Sequence, residues 1–240
     1  MEQIKMITKE TQNKYLPDFE TGEIILIDKQ LFKSSFDIVY KVRKAINVKK
    51  VGHAGTLDPM ATGLLIVGTG KMTKQMSKFR SLNKTYTGIF TLGKTTPSFD
   101  VETEFNSKND NYDIANEIIY SAASTFLGKS FQVPPFYSAV KHKGKSLYEF
   151  ARKGVEIEKE PREISISRFE ITKIDLPEVW FEITCSTGTY IRVIANDFGQ
   201  KLGCGAYLSR LRRIKVGEYD VLNAFTINEF TEKFKEVALA

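Results

Sequence analysis

The chain has 240 residues, 42% of them hydrophobic, which is enough apolar material for the core of one globular domain with room for an appendage. Thirty-five Lys and Arg against 29 Asp and Glu leave a formal net charge of +6, a balance that attracts polyanions such as nucleic acid. Two cysteines (Cys185, Cys204) and two histidines (His53, His142) without paired spacing argue against a disulfide framework and against a zinc site. The polar N-terminus has no apolar h-region, and no run reaches about eighteen apolar residues, so no signal peptide or membrane helix is expected and a cytoplasmic location is.

Residues 1–22 read as a leader with weak structure of its own. "EIILID" (Glu23 to Asp28) is a strand pattern. "SSFDIVYKVRKAI" sets Phe36, Val39, Val42 (or Arg43) and Ile46 at helical spacing, with Ser34 or Ser35 as N-cap. "VGHAGTLDPMATGLLIVGTG" follows, with five glycines, His53 and Asp58, and is neither a clean strand nor a clean helix. "KMTKQMSKFRSL" reads as a short basic helix and "KTYTGIFTLG" as a strand over Tyr86 to Leu92. The polar stretch "GKTTPSFDVETEFNSKNDNYD" predicts a long mobile loop.

"IANEIIYSAASTFLG" predicts a helix with Ile114, Ile118 (or Glu117), Ser121 (or Ala122) and Phe126 (or Thr125) on one stripe, stopped by Gly128. "QVPPFYSAVKHKGKSLYEFARKG" predicts an extended segment, a turn at Lys143-Gly144 and a short helix from Ser146 to Lys153. "EISISRFEITKIDL" and "VWFEITCS" are strand-like. "TYIRVIANDFGQKLG" predicts a helix closed by Gly203, and "AYLSRLRRIKVGEY" a strand. In "TINEFTEKF", Thr226 and Glu229 have capping-box spacing. Strands and helices mix without regular βαβ alternation. The expected class is therefore α+β, or α/β with a mixed sheet.

Asp58 carries the first chemical signal. Asp-Pro starts turns, and taken alone it is a turn aspartate. Glycines at 52, 55 and 63 let a backbone come close to a ligand, and His53 lies five residues earlier. A carboxylate on such a loop is placed to face a pocket. The second signal is "GTYIR". Tyr190 and Arg192 are a core tyrosine and a surface arginine, or else Arg192 pairs with a buried carboxylate, ionised and oriented by its planar fork. Spacing does not say which carboxylate. Thr189 is available to cap the helix that follows. Tyr86 sits among Lys71, Lys74, Lys78, Arg80 and Lys84, an aromatic beside a basic helix that suits RNA. "KHKGKSLYEFARK" and "RLRRIK" are further basic clusters, each by itself an ordinary solvated face.

Together these pieces resemble the bacterial tRNA pseudouridine synthase B (TruB) family. The matching blocks are "GEIILIDK", "GHAGTLDPMATGLLIVGTGKMTK", "NKTYTGIFTLGKTT", "QVPPFYSAVKHKGKSLYEFARKG" and "CSTGTYIRVIANDFGQKLGCGAYLSRLRR", in family order over about residues 22–235. The resemblance implies a pseudouridine synthase catalytic fold, with a mixed, mostly antiparallel central sheet flanked by helices and loops. It implies isomerisation of the uridine at position 55 of the tRNA T loop by base flipping, glycosidic cleavage, rotation of uracil and C5–C1′ rejoining. The partner is then the tRNA T arm. No membrane or protein partner is implied, and a monomer is expected. An isomerisation needs no net redox change, so no cofactor and no metal are expected.

The resemblance also assigns roles. Asp58 matches the catalytic aspartate, Tyr86 the aromatic that stacks on uracil and serves as a base at C5, Arg192 the arginine paired to the aspartate, and Tyr190 an active-site tyrosine. His53 matches a histidine that holds the flipped-out loop. Lys29, Lys74 and Leu211 match further substrate-pocket positions, although Lys29 and Lys74 also suit ordinary surface lysines.

Two departures stand out. The family continues "DK" with Pro, any residue, Gly; here Gln30 and Phe32 take the Pro and Gly places. Many members carry a C-terminal PUA domain, whereas the reading here is a leader over 1–22 and one catalytic domain over 23–240, with an insertion around 94–153 and no PUA domain. Two rivals are a tRNA-binding folding helper with catalysis secondary or lost, and a general single-strand RNA binder. Neither needs "GTLDP" and "GTYIR" together.

Overall fold

The computed structural model describes residues 6–12, 15–109, 113–138, 141–142, 145–146 and 159–235. In chain order the elements are β1 (Met6–Ile7), β2 (Ile24–Lys29), α1 (Ser35–Ile46), β3 (Val51–Ala54), β4 (Ala61–Thr69), a 3-10 turn (Gly70–Gln75), α2 (Met76–Ser81), β5 (Lys84–Leu92), β6 (Lys94–Thr95) and β7 (Ser107–Lys108). They continue with α3 (Asn116–Ser124), β8 (Gly128–Gln132), β9 (Lys141–His142), β10 (Lys145–Ser146), β11 (Arg162–Asp175), β12 (Glu178–Cys185), α4 (Ile191–Lys201), β13 (Ala206–Val216), β14 (Tyr219–Asp220), β15 (Phe225–Thr226) and α5 (Ile227–Phe234). The class is mixed α/β, with parallel and antiparallel pairing and the antiparallel kind predominating. Among the described residues no helix is long and apolar enough to cross a membrane. The chain forms two compact units, residues 1–86 with 211–240, and residues 87–210.

The first unit is built on β2 and β4, antiparallel from Ile24↔Gly68 to Lys29↔Gly63. Successive side chains point to opposite faces of a strand. Ile25, Ile27, Leu65 and Val67 therefore join Ile38, Val42 and Ile46 of α1 and Phe230 and Phe234 of α5 in one core. Ile24, Leu26, Leu64 and Ile66 join Met76 and Phe79 of α2 in another. Burial on both faces explains why "IILI" and "LLIV" are continuously apolar. The sequence set residues 1–22 apart as a leader. In the unit, Ile7 pairs in parallel with Ile25, and the Phe19 ring meets Phe230 and Phe234 edge-on.

Ser34 caps α1 in a full capping box with Asp37, as Thr226 and Glu229 do for α5. The α1 stripe differs from expectation. It buries Ser35, Ile38, Val39, Val42 and Ile46, while Phe36 is 66% exposed. Helical steps of three or four residues lead to Val42 and Ile46 from Phe36 as well as from Ile38, and only packing against the sheet chose between them.

In the second unit β11 pairs antiparallel with β12 (Ile166↔Cys185 to Asp175↔Glu178) and with β8 (Arg162↔Gln132 to Ile166↔Gly128). Its core is aromatic: Phe90 stacks on Phe181, and Phe126, Phe169 and Phe198 close around them. On α3 the buried residues are Ile119 and Ala123, whereas Ile118 is exposed; Gly128 opens β8 and does not stop the helix. Thr189 donates to the Ser186 carbonyl and does not cap α4, whose N-cap Tyr190 makes no side-chain capping bond.

The predicted mobile loop is folded over its described residues. β6 pairs with β7, and Thr96, Ser98 and Asp100 are buried, with the Thr96 hydroxyl donating to the Asp100 carbonyl. A polar composition reads as a loop because its partners are supplied only by tertiary contacts. Of the helix expected from Ser146 to Lys153, Ser146 belongs to β10 and the rest lies outside the described residues, as does the Lys143-Gly144 turn.

Candidate active site

The Asp58 turn lies in the first unit. β3 and β4 pair antiparallel from Val51↔Thr69 to Ala54↔Ile66, and residues 55–60 bridge from β3 to the start of β4. Gly55, with φ 76, turns the chain out of β3 in a region that disfavours a side chain. Leu57 is buried, and its backbone is pinned by Ser35: its N–H donates to the Ser35 hydroxyl at 2.9 Å, and that hydroxyl lies 3.1 Å from the Leu57 carbonyl. The Asp58 carbonyl accepts from the Ala61 N–H at 3.0 Å. The Pro59 carbonyl accepts from the Phe32 N–H at 2.9 Å and from Lys29 Nζ at 3.4 Å. Asp58 is thus half-buried between two neighbours whose backbones are tied to α1 and to the loop before it.

Two buried cations shape this turn. Lys29 is 0% exposed and also donates to the carbonyls of Lys33 (2.6 Å) and Gln30 (3.1 Å). Burial pushes its pKa down to about 8; the Asp58 charge resists that fall and Arg213 adds to it. Lys29 is therefore no ordinary surface lysine: its ammonium is spent on three backbone carbonyls beside the Asp58 turn. Arg213, 1% exposed, donates to the carbonyls of Leu64 (2.8 Å), within β4, and of Gly55 (3.0 Å), at the start of the loop. It pairs in register with Gly63, where a Cβ would lie 2.2 Å from the Arg213 carbonyl oxygen, so that close approach requires glycine. His53, on β3, has its pKa lowered by burial and then by Arg213 and Arg80. It is a neutral imidazole near pH 7, and its buried Nδ1 has no hydrogen-bond partner among the described residues.

Leu211 pairs with Ala61 across β13 and β4, three residues after Asp58, and is half-buried. Tyr86 is 9% exposed on β5. Lys74 is exposed on the 3-10 turn. In the second unit Tyr190 and Arg192 sit together at the start of α4. Gln132 clamps the Tyr190 backbone, accepting from its N–H at 2.8 Å and donating to its carbonyl at 3.2 Å. Arg192 is 3% exposed, lies 3.3 Å from Asp100 and donates to the Tyr137 carbonyl at 2.6 Å. It is a buried cation, not a surface arginine.

The anchors Ser35 and Arg213 escaped sequence reading. The only trace of Ser35 was a second serine beside the capping one. Arg213 was hidden in "RLRRIK", which is not a uniform solvated cluster, since Arg212 also forms a bidentate pair with Asp28 (3.0 and 2.6 Å).

Residues 43–191 match the family model described as TruB family pseudouridylate synthase (N terminal domain). The chain belongs to the TruB family. Residues 192–238 match the model described as tRNA pseudouridylate synthase B C-terminal domain, so in the family's terms the boundary falls at the start of α4. The tRNA pseudouridine synthase B of Chloroherpeton thalassium is 46% identical over 224 residues, covering 91% of this chain and 93% of the relative. That of Flavobacterium johnsoniae is 46% identical over 225 residues, covering 91% and 98%. The fold is shared with a chain of a Cbf5-Nop10-Gar1 complex (TM-score 0.69, 23% identity, 98% of this chain and 68% of that one). It is shared also with a chain of the archaeal box H/ACA sRNP Nop10-Cbf5 complex (TM-score 0.68, 22% identity), of which this chain covers 98% of its own length and spans 65% of the other. As a TruB-family chain it is a pseudouridine-forming isomerase.

Proposed function

We propose that the chain isomerises the uridine at position 55 of the tRNA T loop to pseudouridine, with Asp58 as the reacting carboxylate. The observation that carries this reading is the Asp58 turn, whose flanking residues are held by Ser35, Phe32 and Lys29. A carboxylate that must meet one sugar carbon benefits from a backbone that cannot shift. A pure RNA binder needs no such restraint.

In the reaction the N1–C1′ bond breaks with its electron pair going to uracil, the ring turns, C5 bonds to C1′, C5 loses its proton and N1 gains one. Asp58 attacks C1′ or removes the C2′ proton, and both roles need the ionised carboxylate. The uridine must leave its stack to reach it. On the family resemblance Tyr86 faces the detached uracil and its hydroxyl takes the C5 proton, Arg192 keeps Asp58 charged, Tyr190 lines the same site and Leu211 packs near the base. His53, neutral, is suited to hydrogen bonding with the displaced loop and not to phosphate pairing. Lys74, exposed, suits a phosphate.

The test is incubation with unmodified tRNA carrying tritium at uracil C5. Release from the wild type, with D58N releasing none while still binding a T-arm stem-loop, is expected. Binding without release by the wild type would favour a folding helper, and turnover by D58N would remove Asp58 from the chemistry.

A further inference from the structure

Helix α1 turns its apolar stripe inward, yet its outer face is not the polar surface that such a helix normally shows. Phe36 and Tyr40, four residues apart on that face, are 66% and 56% exposed, and Phe32, in the loop before the helix, is 68% exposed. Single exposed apolar residues are ordinary, but here three large exposed rings fall within nine residues, two of them one helical turn apart. Lys33, Lys41 and Lys44 are exposed among them. Asp37, the acid on this face, is occupied by the N–H and hydroxyl of Ser34 in the capping box.

Phe32 is held there against its own preference. Its φ is 60, a region in which a bulky residue is an outlier, and it stands where the family pattern has glycine. The conformation is fixed by the bond from its N–H to the Pro59 carbonyl, and by Lys29 donating to the carbonyls of Gln30 and Lys33 on either side. Strained residues kept in place by their surroundings cluster at functional sites. The same bond ties the exposed ring to the residue that follows Asp58.

We propose that Phe32, Phe36 and Tyr40, with Lys33, Lys41 and Lys44, form a stacking platform for unpaired nucleotides of the RNA substrate, next to the Asp58 turn. It rests on the RNA substrate proposed above and adds a contact surface to it. The flat rings offer faces to bases, and the interleaved ammonium groups offer partners to phosphates. An aliphatic patch without cations would suit a protein partner instead.

The test measures binding of a fluorescein-labelled T-arm stem-loop, and of a blunt duplex RNA of equal length with no unpaired bases, by anisotropy. Glycine tolerates φ 60, so F32G should melt no lower than the wild type. F32G, and separately F36A/Y40A, should weaken stem-loop binding on the order of tenfold, as expected for losing a stacked base. F32Y should restore it, and the duplex should bind all forms alike. An unchanged stem-loop Kd in F32G and F36A/Y40A overturns the platform, as does an equal loss on both RNAs. A fall in sedimentation mass with intact RNA binding also overturns it, marking the face as a contact between copies. Kd is read without turnover. If the wild type binds but releases no tritium, the isomerase reading fails and the platform is still decided by F32G. If the wild type does not bind the stem-loop, both fall.

Discussion

The buried Lys29 makes stability depend on pH in a way that one substitution exposes. Its ammonium is fully buried and its pKa falls from 10.5 to about 8, chiefly because burial penalises the charged form. Below pH 8 the group is charged both folded and unfolded, so folding carries the whole desolvation cost. Between about pH 8 and 10.5 the folded chain sheds the proton while the unfolded chain keeps it. The unfolded state then binds more protons, and stability rises with pH. The span corresponds to about 3 kcal/mol. In K29M this slope should vanish, and subtracting the two urea-unfolding profiles cancels the titrating groups that do not interact with Lys29. The wild type should therefore gain about 3 kcal/mol on K29M between pH 7 and 10.5. Adding D58N, which removes the charge that holds the Lys29 pKa up, should move the rise to lower pH. A difference that stays flat across this range would refute a buried ammonium beneath the Asp58 turn.

Other substitutions probe the restraints on each site. S35A removes the one hydroxyl that bonds both the N–H and the carbonyl of Leu57 and should cost about 2 kcal/mol in chemical denaturation. It should also lower kcat for tritium release more than it weakens stem-loop binding, since it frees the turn and not the RNA surface; an unaltered kcat would separate Ser35 from the position of Asp58. D100N takes a charge from beside the buried Arg192 and should destabilise the chain by about 3 kcal/mol, read as a lower denaturation midpoint.

The α1 pattern shows where sequence reading succeeds and where it stops. Helix existence follows from spacing and from Ser34, because capping is local. Which stripe is buried is not local, and Phe36 was misplaced because apolar character does not say on which side the sheet lies. The segment over 93–109 failed for a related reason. Its polar residues look like loop until Arg192, far along the chain, meets Asp100. Arg213 and Ser35 were invisible because a basic run and a serine pair have local explanations that suffice.

By itself the sequence carried most of the strands and helices, the α1 N-cap, the Thr226–Glu229 capping box and the family, and it singled out Asp58 through ordered motifs. These depend on neighbours along the chain or on whole-segment pattern. Only the tertiary structure decided what holds the Asp58 turn, that Lys29 is buried beneath it, that Arg192 is a buried cation, and that an aromatic face of α1 remains in solvent. These depend on groups distant in sequence that meet only when the chain folds, and for Lys29 burial then lowers the pKa.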